Sequence, residues 1–400
     1  MELAGKTIIL GLTGGISCYK SAELTRLLTK ASASVQVVMT DSATQFITPL
    51  TMQALSGRPV FTSQWDTRIG NNMAHIDLSR KADAILIAPA STNFIAKLAN
   101  GLCDDLLSTL CIARDGPLLI APAMNLQMWS HPATQRNVSQ LRSDGVSIIG
   151  PANGAQACGE IGDGRMLEPE DLYEALVGFF QQKLLSGRRV LLTAGPTFEP
   201  IDPVRGLTNL SSGKMGFALA RAAQQAGAEV HLISGPSALA TPYGVKRSDV
   251  QTAQQMYDCA MENVGNQDLF IAVAAVSDWR VSNIARHKIK KKHDTDVPQF
   301  SFVQNPDILA SIAALPQAPF CIGFAAESDD LEKHADAKRR RKKIPLLVAN
   351  LGPTTFGQDN NEVILFDDTG QQHFARTDKV TLARLLIAEI TKRLPTQSKK

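Results

Sequence analysis

The sequence predicts an α/β protein made of two doubly wound, Rossmann-like parallel-sheet domains in tandem. Three observations predict it. Apolar runs of strand length alternate with helix-patterned stretches along the chain. A buried-strand pattern followed by a Gly-containing turn occurs twice, as KTIILGLTGG from Lys6 and RRVLLTAGPT from Arg188. Between them, residues 150–166 lose all periodicity, and a fresh start follows near residue 189. The domains are therefore expected at 1–189 and 190–400, with no residue-level repeat between them.

In order, KTIILGL (6–12) reads as a buried strand, TGGIS as its turn, and 17–31 as a helix. VQVVM (35–39), AILIAP (84–89) and PLLIAPA (117–123) are further strands, with helices over Asn93–Ala99 and Asp105–Ala113 between them. The Gly-rich segment 150–166 is expected to be a loop or flap. A helix over Asp171–Leu185 leads to the second half. There the strands are RRVLLTAGPT (188–197), AEVHLISGP (228–236), DLFIAVAAVSD (268–278), PLLVAN (345–350) and EVILF (362–366).

Composition narrows the function. At 400 residues, 44% hydrophobic and 20% charged, the chain can bury large cores. Its longest apolar stretch, Leu269–Val276, is far short of the ~20 residues of a membrane span. The amino-terminal apolar run stops at Gly14 and Gly15, which favours a buried strand over a signal peptide. Six cysteines without C-x-x-C spacing argue against a zinc site or a disulfide framework and suit a reducing cytoplasm. The net charge of +3 arises in the second half, much of it in the runs Lys288–Lys292 and Lys338–Lys343. Such runs suit a solvated face, a nucleic acid or a polyphosphate ligand. Little aromatic residue is interleaved with them, Phe300 and Phe302 being nearest, so no nucleic-acid partner is expected.

Several residues invite chemistry. Thr13, Gly14, Gly15 and Ile16 form a strand-to-helix turn suited to an anion, without the full G-x-G-x-x-G pattern of dinucleotide folds. Asn125 follows a buried strand within Pro122–Trp129. Cys158 lies in a polar Gly-rich segment, where a reactive thiol is a better reading than a packing one. His75 precedes a buried strand, and a lone histidine there is more often a structural residue than a functional one. In the second half, Ser211–Gly216 (SSGKMG) has the look of a phosphate cradle opening a helix, and Asp278 is expected to end a buried strand.

Residues 1–185 resemble the homo-oligomeric flavin-containing cysteine decarboxylases. The resemblance rests on P-x-M-N-x-x-M-W at 122–129, the histidine at His75, and A-C-G-x-x-G-x-G-R-M from Ala157 to Met166. It implies an FMN cofactor contacted by Thr13, Gly14, Gly15, Ile16, Thr40, Ser91 and Thr92. It also implies His75 as base and positioner, Asn125 on the substrate carboxylate, and Cys158 as the final proton donor. In this family, hydride passes from the cysteinyl carbon to the flavin, and the resulting thioaldehyde takes up the electrons left when carbon dioxide departs. Members build the site between subunits of a trimer, so a homo-oligomer built from trimers is implied.

Residues 190–393 resemble the phosphopantothenate–cysteine ligases, in the order found in bacterial bifunctional proteins. The matches are TAGPT with Glu199, Asp202 and Arg205, then Asn209, SSGKMG, AAVSDW (274–279), KIKK (288–291), NPDIL (305–309) and FAAE (324–327). The resemblance implies CTP as co-substrate, activation of 4′-phosphopantothenate as an acyl-cytidylate, and attack by the amine of L-cysteine. It implies Asn209 at the acyl intermediate. It implies CTP contacts from Asp278, Lys288, Asn305, Pro306, Asp307, Ile308, Phe324, Lys338 and Lys342. Mg²⁺ is expected with the triphosphate, its protein ligands unassigned. Gln304 departs from the family, where Lys often precedes N-P-D. The rival readings are an oxidoreductase with another substrate and a non-catalytic flavin-binding regulatory paralogue. The intact set of His75, Asn125 and Cys158 argues against both.

Overall fold

Strand Thr7–Leu12 (β1) is buried from Ile8 onward, as its unbroken run of apolar side chains requires of a strand covered on both faces. The computed structural model describes residues 2–66, 68, 73–290, 297–327, 331–351 and 357–395. The chain divides into two compact units, Met1–Phe179 and Phe180–Lys400.

In the first unit, β1 pairs in parallel with Ser34–Met39 (β2) on one side and Ala84–Ala90 (β3) on the other. Leu118–Pro122 (β4) and Ser147–Ile148 (β5) complete a five-stranded sheet in the order β2-β1-β3-β4-β5. This is the flavodoxin-like order, and its direction reverses between β1 and β3. Helix Cys18–Lys30 packs against Pro49–Ser56 and Pro169–Phe179, while Thr92–Ala99 packs against Leu106–Ile112 and Pro132–Ser143. Phe94, Ile95, Leu107, Leu110 and Ile120 fill one apolar cluster between sheet and helices. Each such fully buried side chain contributes about 1.5–3 kcal/mol relative to exposure.

Within residues 150–166 the structure shows a hairpin flap rather than an irregular loop. Ala152–Ala155 (β6) and Ile161–Arg165 (β7) form an antiparallel hairpin whose turn carries Cys158. The following helix spans Pro169–Phe179, starting earlier and ending sooner than its apolar pattern suggests.

The second unit begins with Arg189–Ala194 (β8) and the short antiparallel pair Phe198–Pro200 (β9) and Gly206–Thr208 (β10). Its main sheet adds Glu229–Ser234 (β11), Lys246–Asp249 (β12) and Leu269–Ala272 (β13). After the small pair Trp279–Val281 (β14) and Phe302–Gln304 (β15) come Phe320–Glu327 (β16) and Leu346–Leu351 (β17). Asn360–Asp367 (β18) and Gly370–Asp378 (β19) finish it. The order is β12-β11-β8-β13-β16-β17-β18-β19. Strands from β12 to β17 pair in parallel, and β18 and β19 are antiparallel additions, so the sheet is mixed at one end. Helix Lys214–Gln225 packs against the last helix, Lys379–Arg393, within the same apolar cluster as Leu192, Ile322 and Leu365.

Strand β13 ends at Ala272, so Asp278 does not end a buried strand. The apolar run Val273–Val276 continues as an irregular segment. Ala275 N donates to Gly195 O at 2.9 Å and Ser277 N to Thr197 Oγ1 at 3.0 Å. Among the described residues, no helix is long and apolar enough to cross a membrane.

Candidate active sites

The Thr13–Ile16 turn leaves β1 at the sheet's reversal point. Thr13 is buried; its hydroxyl donates to Pro89 O at 2.8 Å and accepts from Ser91 N at 2.9 Å. Its oxygen therefore ties the ends of β1 and β3 together, and its expected ligand contact falls to the backbone. At Gly14 a Cβ would lie 2.6 Å from Ser42 Cβ, so only glycine lets the turn pass this close. A Cβ on Gly15 would meet nothing nearer than Pro89 Cγ at 4.0 Å, so that side of the turn is open. Thr40 and Ser91 cap the helices that follow them, accepting from Ala43 N and Phe94 N, each at 3.3 Å.

A cavity of about 590 Å³ opens from this turn. It brings together Gly14, Gly15, Ile16, Ser91, Thr92, Asn125 and Cys158. A second one of about 490 Å³ shares Gly14, Ser91 and Thr92 and adds Thr13 and Thr40. Asn125 caps helix Leu126–Ser130: its Oδ1 accepts from Met128 N at 2.9 Å, leaving Nδ2 available toward the hairpin. The hairpin is stitched over this turn. Met124 N donates to Gly164 O at 2.9 Å, and Leu126 N donates to Gln156 Oε1 at 3.0 Å. Gly164 has φ +124°, and a Cβ there would meet Met124 O at 2.5 Å. Lys20 holds the hairpin's base, donating to Met166 O at 2.8 Å and Glu168 Oε1 at 3.0 Å.

His75 is the exception. It is half-buried in helix Ala74–Arg80 and lines neither cavity. Sequence reasoning in turn missed Lys20 and Gln156, which line the larger cavity together with Arg165, quoted in the cysteine motif but given no role. Gln156 stands beside the cysteine motif, but no local pattern marks Lys20, which looks like any helix-surface lysine.

In the second unit, Gly213 (φ +75°) introduces helix Lys214–Gln225, and Gly216 lets that helix close on β8, since a Cβ would lie 2.4 Å from Ala194 Cβ. A cavity of about 580 Å³ beside this turn gathers Asn209, Ser211, Ser212, Asp278, Phe324 and Lys338. It also collects Lys214, the lysine of the SSGKMG motif, and Lys379, which sequence reasoning did not single out. Asn209 donates from Nδ2 to Ala275 O at 2.9 Å, fixing its amide beside the Val273–Val276 segment. Burial lowers the Lys379 pKa, as does nearby Lys214, with Asp359 acting in the opposite sense.

The remaining expected nucleotide contacts do not line this cavity. Asn305 is buried, donating to Ser277 O at 2.8 Å and accepting from Arg280 at 2.8 Å, so it braces the Asp278 segment. Its own backbone amide donates to Asp278 O at 2.8 Å. Pro306 follows it, half-buried. Asp307 caps helix Ile308–Ala313 and pairs with Lys342 at 2.8 Å. Burial opposes its ionisation, but the Lys342 and Ala310 hydrogen bonds hold its carboxyl below the usual range. Ile308 is a core side chain. Lys288 is exposed, and the last two lysines of its run lie outside the described residues.

Glu199 and Asp202 are structural. Glu199 accepts from Ala253 N at 2.8 Å. Asp202 accepts from Val204 N and Arg205 N, each at 2.8 Å, and from Ile289 N at 3.1 Å. Burial works against its charge, yet these amides and Arg205 depress its pKa well below the ordinary carboxylate value. The segment carrying Lys288 is thereby anchored. The run Lys338–Lys343 is not simply a solvated face, because Arg339 is buried and paired with Asp368 at 2.8 Å.

Comparison with known proteins agrees with both halves. A family model described as "Flavoprotein" matches residues 1–181, and one described as "DNA/pantothenate metabolism flavoprotein C-terminal domain" matches 185–394. The chain is 50% identical over 386 residues to the coenzyme A biosynthesis bifunctional protein CoaBC of Vibrio cholerae, covering 96% of this chain and 97% of that one. It is 46% identical over 399 residues to the protein of the same description from Escherichia coli, covering 98% of each. A solved C-terminal domain of a coenzyme A biosynthesis bifunctional protein CoaBC is 36% identical, covering 53% of this chain and 98% of that one, with a TM-score of 0.46. With two domain models matched in tandem and relatives aligned along nearly its full length, the chain belongs to the family of coenzyme A biosynthesis bifunctional proteins.

Proposed function

We propose that residues 190–400 join L-cysteine to 4′-phosphopantothenate at the expense of CTP, and that residues 1–189 decarboxylate the resulting 4′-phosphopantothenoylcysteine to 4′-phosphopantetheine. The observation that carries this reading is the meeting of Asn125 and Cys158 across one cavity that opens from the Gly14–Gly15 turn. Few other chemistries need a carboxylate-holding amide and a thiol beside an anion cradle.

The donor set fits a flavin mononucleotide. Gly15 leaves the turn open on one side, and the amides of 14–16 and the hydroxyls of Ser91 and Thr92 suit a phosphate and a polar ring edge. When bound, FMN supplies reversible hydride acceptance. Asn125 holds the substrate carboxylate through Nδ2. Cys158 gives its proton to the carbon skeleton in the last step. His75 is the base near the substrate thiol, in its neutral form near neutral pH. His75 lines neither cavity of its own chain; in the trimer-based homo-oligomer that the family resemblance implies, a neighbouring copy would supply it.

In the second unit, the carboxylate of 4′-phosphopantothenate attacks the α-phosphorus of CTP and releases pyrophosphate. The cysteine amine then displaces CMP, forming the amide. Asn209 steadies the acyl intermediate, while Asp278, Phe324 and Lys338 contact the nucleotide. Asn305, Pro306, Asp307, Ile308 and Lys342 act by shaping the Asp278 segment and the neighbouring helix, and exposed Lys288 meets the triphosphate. Among the described residues, no three His, Cys, Asp or Glu side chains cluster as a metal site. Mg²⁺ would therefore be held chiefly by phosphate oxygens and water.

The test is incubation of the purified chain with CTP, L-cysteine and 4′-phosphopantothenate, with products identified by mass. Formation of 4′-phosphopantetheine with pyrophosphate, CMP and CO₂ is expected. Failure to release CO₂ from 4′-phosphopantothenoylcysteine in the presence of added FMN would overturn the first half. Failure to release pyrophosphate would overturn the second.

A further inference from the structure

The hairpin turn carries one carboxylate that the reading above leaves without a role. Glu160 is half-buried just before β7, and Gln156 N donates to its carbonyl at 2.8 Å, which closes the turn. Its Oε2 lies 3.5 Å from Cys158 Sγ and 3.5 Å from Asn125 Nδ2. With its amide oriented to donate, Gln127 places its side-chain nitrogen 2.9 and 3.2 Å from the two Glu160 oxygens. An ionised carboxylate is acceptor-only and has room for several donors at once. Here the donors come from two separate segments: the turn after β4 supplies Asn125 and Gln127, and the hairpin supplies Cys158.

We propose that Glu160 is a positioning residue for the decarboxylation, fixing the Cys158 thiol beside Asn125 by accepting hydrogen bonds from both while the Gln127 amide holds its carboxylate. The inference rests on the assignment of Cys158 as final proton donor. Glu160 itself does not line the cavity. Its contribution is to keep the sulfur within reach of the carbon to be protonated after carbon dioxide has left, while the hairpin is otherwise attached through Gln156, Gly164 and, at its base, Lys20.

The partition of products separates this role from a general structural one. Glu160→Gln keeps size and shape but removes the charge, and Glu160→Ala removes the acceptor. In a single turnover of the flavin-loaded full chain given 4′-phosphopantothenoylcysteine, where any oxidised product leaves its two electrons on the flavin, both variants should release CO₂ within about threefold of the parent rate. The share of turnovers ending as the oxidised, decarboxylated thiol should rise about tenfold. Cys158→Ser, run beside them, should yield that oxidised product almost exclusively. If Cys158→Ser stalls while Glu160→Gln partitions like the parent, the Glu160 inference falls and the proton-donor assignment stands. If Cys158→Ser also completes the cycle, both fall. A proportional fall of CO₂ and finished product in Glu160→Gln, with the partition unchanged, means that Glu160 only supports the fold and overturns the inference.

Discussion

Lys20 offers the sharpest test of how the hairpin is held. It is 3% exposed, in the first turn of helix Cys18–Lys30, and its Nζ donates to Met166 O at 2.8 Å and to Glu168 Oε1 at 3.0 Å. Lys20→Met preserves most of the aliphatic stem and deletes both bonds. A hydrogen bond to a charged group contributes about 1.5–3 kcal/mol, and Met166 is fully buried, so its carbonyl loses this donor where water does not easily replace it. A loss of about 2 kcal/mol in the local opening free energy corresponds to roughly a thirtyfold rise in exchange rate. Hydrogen–deuterium exchange read by mass spectrometry should show this rise in peptides covering residues 152–168, with strands β1 to β4 unchanged. If those peptides exchange within threefold of the parent rate, or if the rise is spread evenly over the first unit, the anchoring role of Lys20 is refuted.

Further predictions concern backbone fit, pH and thiol reactivity. Gly164→Ala forces a Cβ to within 2.5 Å of Met124 O at φ +124°. It should cost about 1–3 kcal/mol and sharply reduce CO₂ release while pyrophosphate release stays at the parent level, measured in separate assays. Burial opposes ionisation of Asp367, yet bonds from Thr369 and Arg393 bring its pKa down to about 2. That lies below the unfolded value of about 3.9, so its contribution is full above that pH and is lost as pH falls toward 2. In urea unfolding, the gap between the parent and Asp367→Asn should shrink as pH is lowered from 6 to 2; a constant gap would count against it. Burial pushes the thiols of Cys18 to about 11 and Cys321 to about 12, and raises Cys111 as well. Iodoacetamide at pH 8 should therefore label the exposed Cys103 and Cys158 and spare those three until the chain is denatured, as read by peptide mapping.

Much of the architecture was legible because both sheets are covered on two faces. Ile8–Leu12 and Ala84–Ala90 carry no polar side chain and Val190–Ala194 only Thr193, and near-continuous apolar runs are easy to read. The same signal misled at Val273–Val276, where apolar residues line a cavity rather than extend β13. The hairpin of ANGA and IGDGR was hidden because its strands are short and Gly-rich, with pairing set by contacts to Met124 and Leu126. Strand β19 escaped notice for a different reason: GQQHFARTD lies at a sheet edge and is largely exposed, so no apolar pattern marks it.

The candidate sites were legible where a residue's local motif also fixes its place, as with Asn125, Cys158 and the two Gly turns. They were not where the contact depends on distant chain. Lys379 joins the second cavity from a helix more than a hundred residues beyond Lys214, and nothing in TDKV announces it. Asn305 and Ile308 carry the expected motif, but their side chains support the fold rather than face the cavity.

The pairing of helix Lys214–Gln225 with Lys379–Arg393 sets an order of events during synthesis. The earlier helix emerges from the ribosome with a face of Phe217, Leu219, Ala220 and Ala223 that needs cover, and part of that cover is Leu382, Leu386 and Ile390. Until residues 379–393 have been translated, this surface waits partly bare, whereas every strand and helix of the first unit is already available by Phe179. The first unit can thus mature while the ribosome is still working, and the second depends on its closing helix, which makes nascent chains truncated before residue 379 the ones most in need of a chaperone.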